Sequence, residues 1–316
     1  VKPPRVAWQD VALILAVGGL FGTTFVLIKV ALTSITPITI GLLRLSLAAV
    51  PLMLMLRWRG LRLPPPGRVW GSFTVMGLGN GALAYVLINW SAQHIEAGLV
   101  GILIATTPIF AAVLAHLFTR DERLRAGAVA AVAMGFVGVV LLLGPGALLR
   151  LELAGMRPWG VLAMLGAALC YAVAAVHGRV LRGVPPLVTA TAQQLTGAVA
   201  LVPVVLLFES PFALQPRWQD LLAIAVGAVF GTSLAYLLFF ELLARVGATR
   251  STLVTYVTPF AAVILGAVFL GERLPLRAFA AMALIFLSIA LSSGWLDGLR
   301  LRRAPDVGSP GMDGLP

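Results

Sequence analysis

The chain has 316 residues, of which 60% are hydrophobic and only 11% charged, with a mean hydropathy of +1.00. Soluble domains average about 25% charged residues, so the composition excludes a water-soluble fold and implies an integral membrane protein. The formal net charge of +11 does not point to nucleic acid. Its basic residues are scattered in short segments beside apolar runs, where they set topology rather than form a phosphate-binding patch.

One cysteine, Cys170, lies inside an apolar run, which leaves no disulfide framework and no thiolate metal site. The three histidines, His94, His116 and His177, have no metal-ligand spacing. No cofactor is expected. Runs of about 20 apolar residues predict an all-α integral membrane protein with ten transmembrane helices, at 9–31, 37–56, 69–90, 98–118, 126–144, 158–182, 187–208, 218–243, 250–271 and 276–294. Lys2 and Arg5 precede a first run too long for a signal peptide, so that span is expected to be retained. The tail 295–316 is rich in Gly and Pro and is expected to be disordered.

The first span carries Lys29 near its end, where an ammonium can reach the interface. The second holds Arg44 seven residues in, roughly 10 Å deep at 1.5 Å per residue. A buried arginine costs several kcal/mol unless it is paired or faces water. It is either a fork for a substrate carboxylate or a structural residue, bonded to helix-end carbonyls or snorkelling outward. The third span has Gly79-Asn80-Gly81 and Tyr85, and the fourth has Thr107-Pro108. Tyr171 and His177 lie in the sixth span, and Gln193-Gln194 form a buried amide pair in the seventh. The eighth contains Gly231-Thr232-Ser233, Tyr236 and an i,i+4 pair, Glu241 and Arg245. The ninth contains Thr258-Pro259. Glycine permits close helix approach, while Asn, Thr and Ser can bond a substrate or a freed backbone group.

The chain writes one stretch twice. Ala97 to Phe118 maps without gaps onto Ala248 to Phe269 under a shift of 151 residues. Thr107-Pro108 falls on Thr258-Pro259, and Leu83-Ala84-Tyr85 falls on Leu234-Ala235-Tyr236. Both copies end in a charged turn, Asp121-Glu122-Arg123-Leu124 and Gly271-Glu272-Arg273-Leu274, one residue out of register. A period of this length marks a duplicated half rather than a solenoid, which predicts domains at 9–144 and 158–294. With the N-terminus in the cytoplasm, 16 of the 23 Lys and Arg residues fall on the inner side, six on the outer side, and Arg44 within a span. Both termini are therefore expected in the cytoplasm. Five spans per half is an odd number, so the second half must be inverted relative to the first, as in alternating-access transporters. Matched prolines in mid-span predict kinks that free backbone groups beside a binding site.

Together these features resemble bacterial drug/metabolite transporters built from two EamA-type halves. The carrying segments are Gly18 to Gly22, Pro37 followed by Arg44, Thr107 to Phe110 before Glu122-Arg123-Leu124, and Thr258 to Phe260 before Glu272-Arg273-Leu274. The resemblance covers nearly the whole chain. It implies export of small metabolites such as amino acids across the bacterial inner membrane, through a cavity lined by spans one to four and six to nine. The candidate substrate-binding residues are then Arg44, Asn80, Tyr85, Thr107, Pro108, Gln193, Thr232, Tyr236, Thr258 and Pro259. Partners are a small-molecule substrate and the lipid bilayer, with no nucleic acid. Oligomeric state is open, and a monomer is compatible. A lipid flippase or a nucleotide-sugar carrier of the same superfamily is the alternative. A membrane enzyme would need clustered carboxylates or a metal set, which the sequence does not offer.

Overall fold

A computed structural model describes residues 8–118, 126–143, 155–247, 251 and 253–292. The tail 295–316 and the charged turn Asp121 to Leu124 lie outside the described residues. Among the described residues ten apolar helices follow one another: α1 (Trp8–Ala31), α2 (Pro37–Trp58), α3 (Arg68–His94), α4 (Ala97–Phe118), α5 (Ala126–Leu143), α6 (Arg157–Leu181), α7 (Pro186–Phe208), α8 (Trp218–Val246), α9 (Val254–Leu270) and α10 (Leu276–Ser292). Seven of them are long and apolar enough to cross a membrane; α9, α10 and the apolar stretch Val132–Leu141 of α5 are shorter. No strand occurs among the described residues. Proline opens α2, α6 and α7 in the first turn, where its fixed φ suits the helix and its missing N–H costs nothing.

The pairing of helices is two-fold in pattern. α1 packs against α8 and α9, and α6 packs against α3 and α4. α2 packs on α7, α4 on α9, and α5 on α10. Moving 151 residues along the chain turns α1 into α6 and α4 into α9, so each of these contacts maps onto itself or onto another in the set. The largest apolar cluster among the described residues joins Phe25, Ile102, Leu103, Met164 and Ile285, from four different helices. Close approach depends on small residues: a Cβ on Gly22 of α1 would sit 2.6 Å from Ala261 Cβ and 2.8 Å from the Thr258 carbonyl on α9.

Two features were not expected from the sequence. α3 widens into a π-helical turn over Gly77–Leu83, and α8 does the same over Val229–Leu234. Residue 77 shifted by 151 is 228, so the two turns occupy matching places. The mid-span prolines also take two forms instead of one matched kink. α4 breaks at Ala105-Thr106 and restarts at Thr107, whereas α9 runs on through Pro259.

One end of the bundle, the predicted outer face, is braced by carboxylates reaching between elements. Glu209 after α7 accepts the backbone N–H groups of Ile38 and Thr39 at 3.0 and 2.8 Å, together with the hydroxyls of Thr36 and Thr39, and so caps α2. Gly271 (φ 64°) turns the chain after α9 and aims Glu272 at α4, where it accepts N–H bonds from Ala97 (2.7 Å) and Gly98 (3.0 Å). Lys29 lies 3.8 Å from the same carboxylate, so its ammonium meets Glu272 rather than water alone. Asp220 accepts from Ser34 (2.6 Å) and from Arg217, which also bonds Thr33. Glu96 pairs with Arg157 at 2.8 Å. Burial pushes the Glu96 pKa up, but the hydrogen bond and charge of Arg157 outweigh it and hold the carboxyl below its ordinary 4.5.

Glu272→Ala leaves two N–H groups and Lys29 without their acceptor, and is expected to destabilise the folded protein by about 1–3 kcal/mol in a detergent melt. Gly22→Val is expected to lower melting temperature and folded yield by forcing α1 away from α9. The Glu96–Arg157 pair has a folded-state pKa below the unfolded one. Its contribution is therefore full above the unfolded value near 4.5 and lost as pH falls through the folded value. The stability gap between the native chain and Arg157→Gln should accordingly narrow below pH 4.5, as read from melts between pH 3 and pH 7.

Candidate functional site

Halfway along the bundle, α2, α3, α7 and α8 bring a set of polar side chains together. Arg44 is 95% buried, a position its seven-residue depth in α2 foreshadows. Its guanidinium carbon stands 4.6 Å from the centre of the Tyr85 ring, a cation–π arrangement. One Nη donates to the Thr232 hydroxyl at 3.3 Å. The Nε–H has no acceptor among the described residues. No described carboxylate forms an ion pair with Arg44; the described pairs are Lys29–Glu272, Arg157–Glu96, Arg217–Asp220 and Arg245–Glu241.

On the other side of the same centre, Gln193 of α7 accepts from Asn80 at 3.2 Å and donates to the Tyr236 hydroxyl at 3.4 Å. Phe21 meets Tyr236 edge to face, with ring centres 6.2 Å apart, and Phe240 stacks on its other side. Tyr171 of α6 packs against the apolar cluster that holds Leu45 and Tyr85. The two-fold pattern is visible in this chemistry. An α2 side chain, Arg44, touches α3 and α8 through Tyr85 and Thr232. An α7 side chain, Gln193, touches α3 and α8 through Asn80 and Tyr236.

The π turns place these groups. A π turn holds one more residue than an α turn and leaves backbone carbonyls open to side chains. Asn80 and Thr232 lie within the two widened turns, and Tyr85 and Tyr236 each follow their turn by two residues. The Thr232 hydroxyl donates to the Gly227 carbonyl at 3.3 Å, and Ser233 bonds the carbonyls of Ala228 and, across to α2, Ala48.

The structure thus brings together Arg44, Asn80, Tyr85, Gln193, Thr232 and Tyr236, with Phe21 and Tyr171 beside them. Thr107, Pro108, Thr258 and Pro259 take no part in the hydrogen bonds or ring contacts of this cluster. Pro108 cannot donate to the Ile104 carbonyl, and the Thr107 hydroxyl does so in its place at 2.7 Å. The Thr258 hydroxyl donates to Val254 O at 3.0 Å. Pro259 is buried, and its Cα would stand 3.5 Å from a Cβ added at Gly101 on α4. Pro259 stands where α9 meets the first segment of α4, whereas Thr107 and Pro108 open the second segment, which packs chiefly on α6.

Access differs at the two ends. Towards the predicted outer face, the space beside Arg44 narrows to a crevice between Thr24, Ile28, Ile40 and Ile224 that does not admit water. Towards the opposite face, a groove of about 500 Å³ runs between α1 and α8, walled by Trp8, Ala12, Ala16 and Leu238, with the Glu241–Arg245 pair at its mouth. Phe21 and Tyr236 lie further along the same two helices and do not line it. Among the described residues no three His, Cys, Asp or Glu side chains gather as metal ligands.

Several relatives of the chain are transporters by name. It is 26% identical over 277 residues to the uncharacterized inner membrane transporter YedA of Escherichia coli, covering 86% of each chain. It is 24% identical to the uncharacterized transporter YoaV of Bacillus subtilis, over 89% of this chain and 95% of that one. It is 27% identical to protein PecM of Dickeya dadantii, over 86% and 88%. A solved crystal structure superposes with a TM-score of 0.65 at 22% identity, covering 92% of this chain and 98% of the other, which carries the fold alone. The EamA-like transporter family matches residues 9–144 and again 158–294, so this multi-pass membrane protein belongs to the EamA-like transporter family.

Proposed function

We propose that the protein is a secondary transporter exporting small carboxylate-bearing metabolites, amino acids and related compounds among them, across the bacterial cytoplasmic membrane by alternating access, with both termini in the cytoplasm. The observation that carries this reading is the state of Arg44. A structural arginine would bond helix-end carbonyls or extend to the interface. Arg44 does neither among the described residues: it is 95% buried, makes one long hydrogen bond to a hydroxyl, and keeps an Nε–H without an acceptor. A buried cation with no counter-ion is costly, and a planar carboxylate is the ligand whose geometry matches the open side of the guanidinium fork. Asn80, Gln193 and the Tyr236 hydroxyl supply neutral donors and acceptors for a second polar group. The rings of Phe21, Tyr85 and Tyr171 supply apolar surface for an amphipathic one.

The two ends of the bundle fit the same reading. Alternating access needs one end closed while the other is open. Here the predicted outer end is braced by Glu96, Glu209, Asp220 and Glu272, while the groove between α1 and α8 opens on the opposite face. Positive residues crowd that opposite face, which supports its assignment to the cytoplasm.

Purified protein in liposomes, given a mixed panel of labelled amino acids and other small metabolites with and without a pH gradient, tests the proposal. A carboxylate-bearing class is expected to cross. Arg44→Ala should slow its transport at least about tenfold, while Arg44→Lys, which keeps the charge but loses the fork, should recover only part of the rate. Gln193→Leu is expected to raise KM more than it lowers kcat, because it removes a binding contact and leaves the charge in place. Movement of a labelled lipid with none of the panel crossing would replace this reading with a flippase. Carboxylate transport unaffected by Arg44→Ala would remove Arg44 from the site.

A further inference from the structure

The cluster around Arg44 faces inward from α2 and α7; the backs of the same two helices form a separate groove of about 300 Å³ that opens on the bilayer. Its walls are Ala49, Val50, Met53 and Leu54 of α2 and Leu195 and Val199 of α7, with Arg57 at one end. Val50, Leu54 and Val199 are more than half exposed, so the wall presents apolar surface outward. From Ser46 to Arg57 the groove spans eleven helical rises, about 17 Å, close to half of a hydrocarbon core about 30 Å thick. It is therefore apolar for the depth of one leaflet and cationic where that leaflet's headgroups begin.

Arg57 is exposed and forms no ion pair with any described residue. The segment that follows adds Arg59, Arg62 and Arg68, and the turn before α7 adds Arg182, all exposed. We infer that this groove is a binding site for an anionic phospholipid, one acyl chain lying between α2 and α7 and the phosphate resting on Arg57. A free phosphate would gain nothing from the apolar walls, and a zwitterionic lipid, whose own cation offsets its phosphate, would gain less from Arg57 than a lipid with net negative charge. The combination of leaflet-length groove and terminal cation selects a lipid with net negative charge. Such a lipid braces the outer sides of the two helices that carry Arg44 and Gln193, Ser46 and Leu195 each being two residues further along their helix. The site does not depend on which substrate the transporter moves.

Native mass spectrometry of the full chain in detergent, titrated with phosphatidylglycerol or phosphatidylcholine of identical acyl chains, tests this. The unaltered protein is expected to retain phosphatidylglycerol at about fivefold lower concentration than phosphatidylcholine, the effect of one basic group on one headgroup charge. Arg57→Gln should abolish that preference, and Arg59→Gln should leave it. Val199→Trp, which fills the groove and keeps every charge, should weaken retention of both lipids. Equal retention of the two lipids by the unaltered protein overturns the inference. So does a preference that survives Arg57→Gln but is lost in Arg59→Gln, which would move the anion to the following segment. Unchanged retention in Val199→Trp would place the lipid outside the groove and overturn it as well.

Discussion

Within a bilayer there is no water to complete a hydrogen bond, so every polar group of a spanning helix must find its partner in the chain or in a ligand. Most of this structure obeys that constraint by local means. Thr23 and Thr191 return their hydroxyls to carbonyls one turn back, and the Asn89 amide donates to Pro37 O at the start of α2. Thr196 of α7 bonds Phe73 O on α3, beside the tight Gly77–Gly197 contact, and Ser233 bonds Ala48 O. Against this background Arg44 stands apart. Neutral groups left with an unpartnered atom, such as Gln194 or Ser91, cost a hydrogen bond. A cation in the same position costs several times more, and it is retained at the point where both halves of the chain converge.

The same constraint explains the asymmetry of the two ends. Helix starts expose backbone N–H groups, and a carboxylate at such a start satisfies both the donors and the helix dipole. Glu209 and Glu272 do this for α2 and α4, each arriving from the opposite half of the chain. Separation of the halves at that end would return four carboxylates and their partners to water, where they lose little, so the closed end is held by bonds that water can replace. The ion pair described at the other face, Glu241–Arg245, lies within a single helix and joins nothing across the bundle. A transporter's two states must differ in their contacts, and these crossing contacts are what the present state has to give up.

Much of the scaffold is legible in the sequence because span length and the repeat are one-dimensional signals. The ten apolar runs fall within a few residues of the helices, and the Glu241–Arg245 pair follows from i,i+4 spacing alone. Arg44, Asn80, Gln193, Thr232 and both tyrosines were visible as polar or aromatic residues in apolar runs. What could not be read is how they face one another. Helix rotation decides that, and the π turns reset rotation without leaving a sequence mark beyond Gly79-Asn80-Gly81 and Gly231-Thr232-Ser233. The bracing carboxylates were also missed. Glu96 and Asp220 at helix starts carried a weak signal, but Glu209 reaches a helix more than 170 residues away in sequence, which no local pattern encodes. The matched prolines stand apart from this polar cluster for a related reason. Thr107-Pro108 and Thr258-Pro259 are the strongest repeated letters, yet their hydroxyls are bound to their own helices.

The paired π turns bear on how such a chain can change over generations. A widened turn is an α-helix with one residue added, and the same addition stands at the same place in both copies. An ancestral half that already carried it would pass it to both descendants when it doubled. Losing a single residue from either turn would rotate everything beyond it by about 100°. In one copy that would swing Tyr85 away from Arg44, and in the other Tyr236 away from Gln193. Substitutions can drift through these helices one at a time; insertions and deletions near Gly77–Leu83 and Val229–Leu234 cannot, because they alter direction rather than identity. Length, in these two short stretches, is the inherited character.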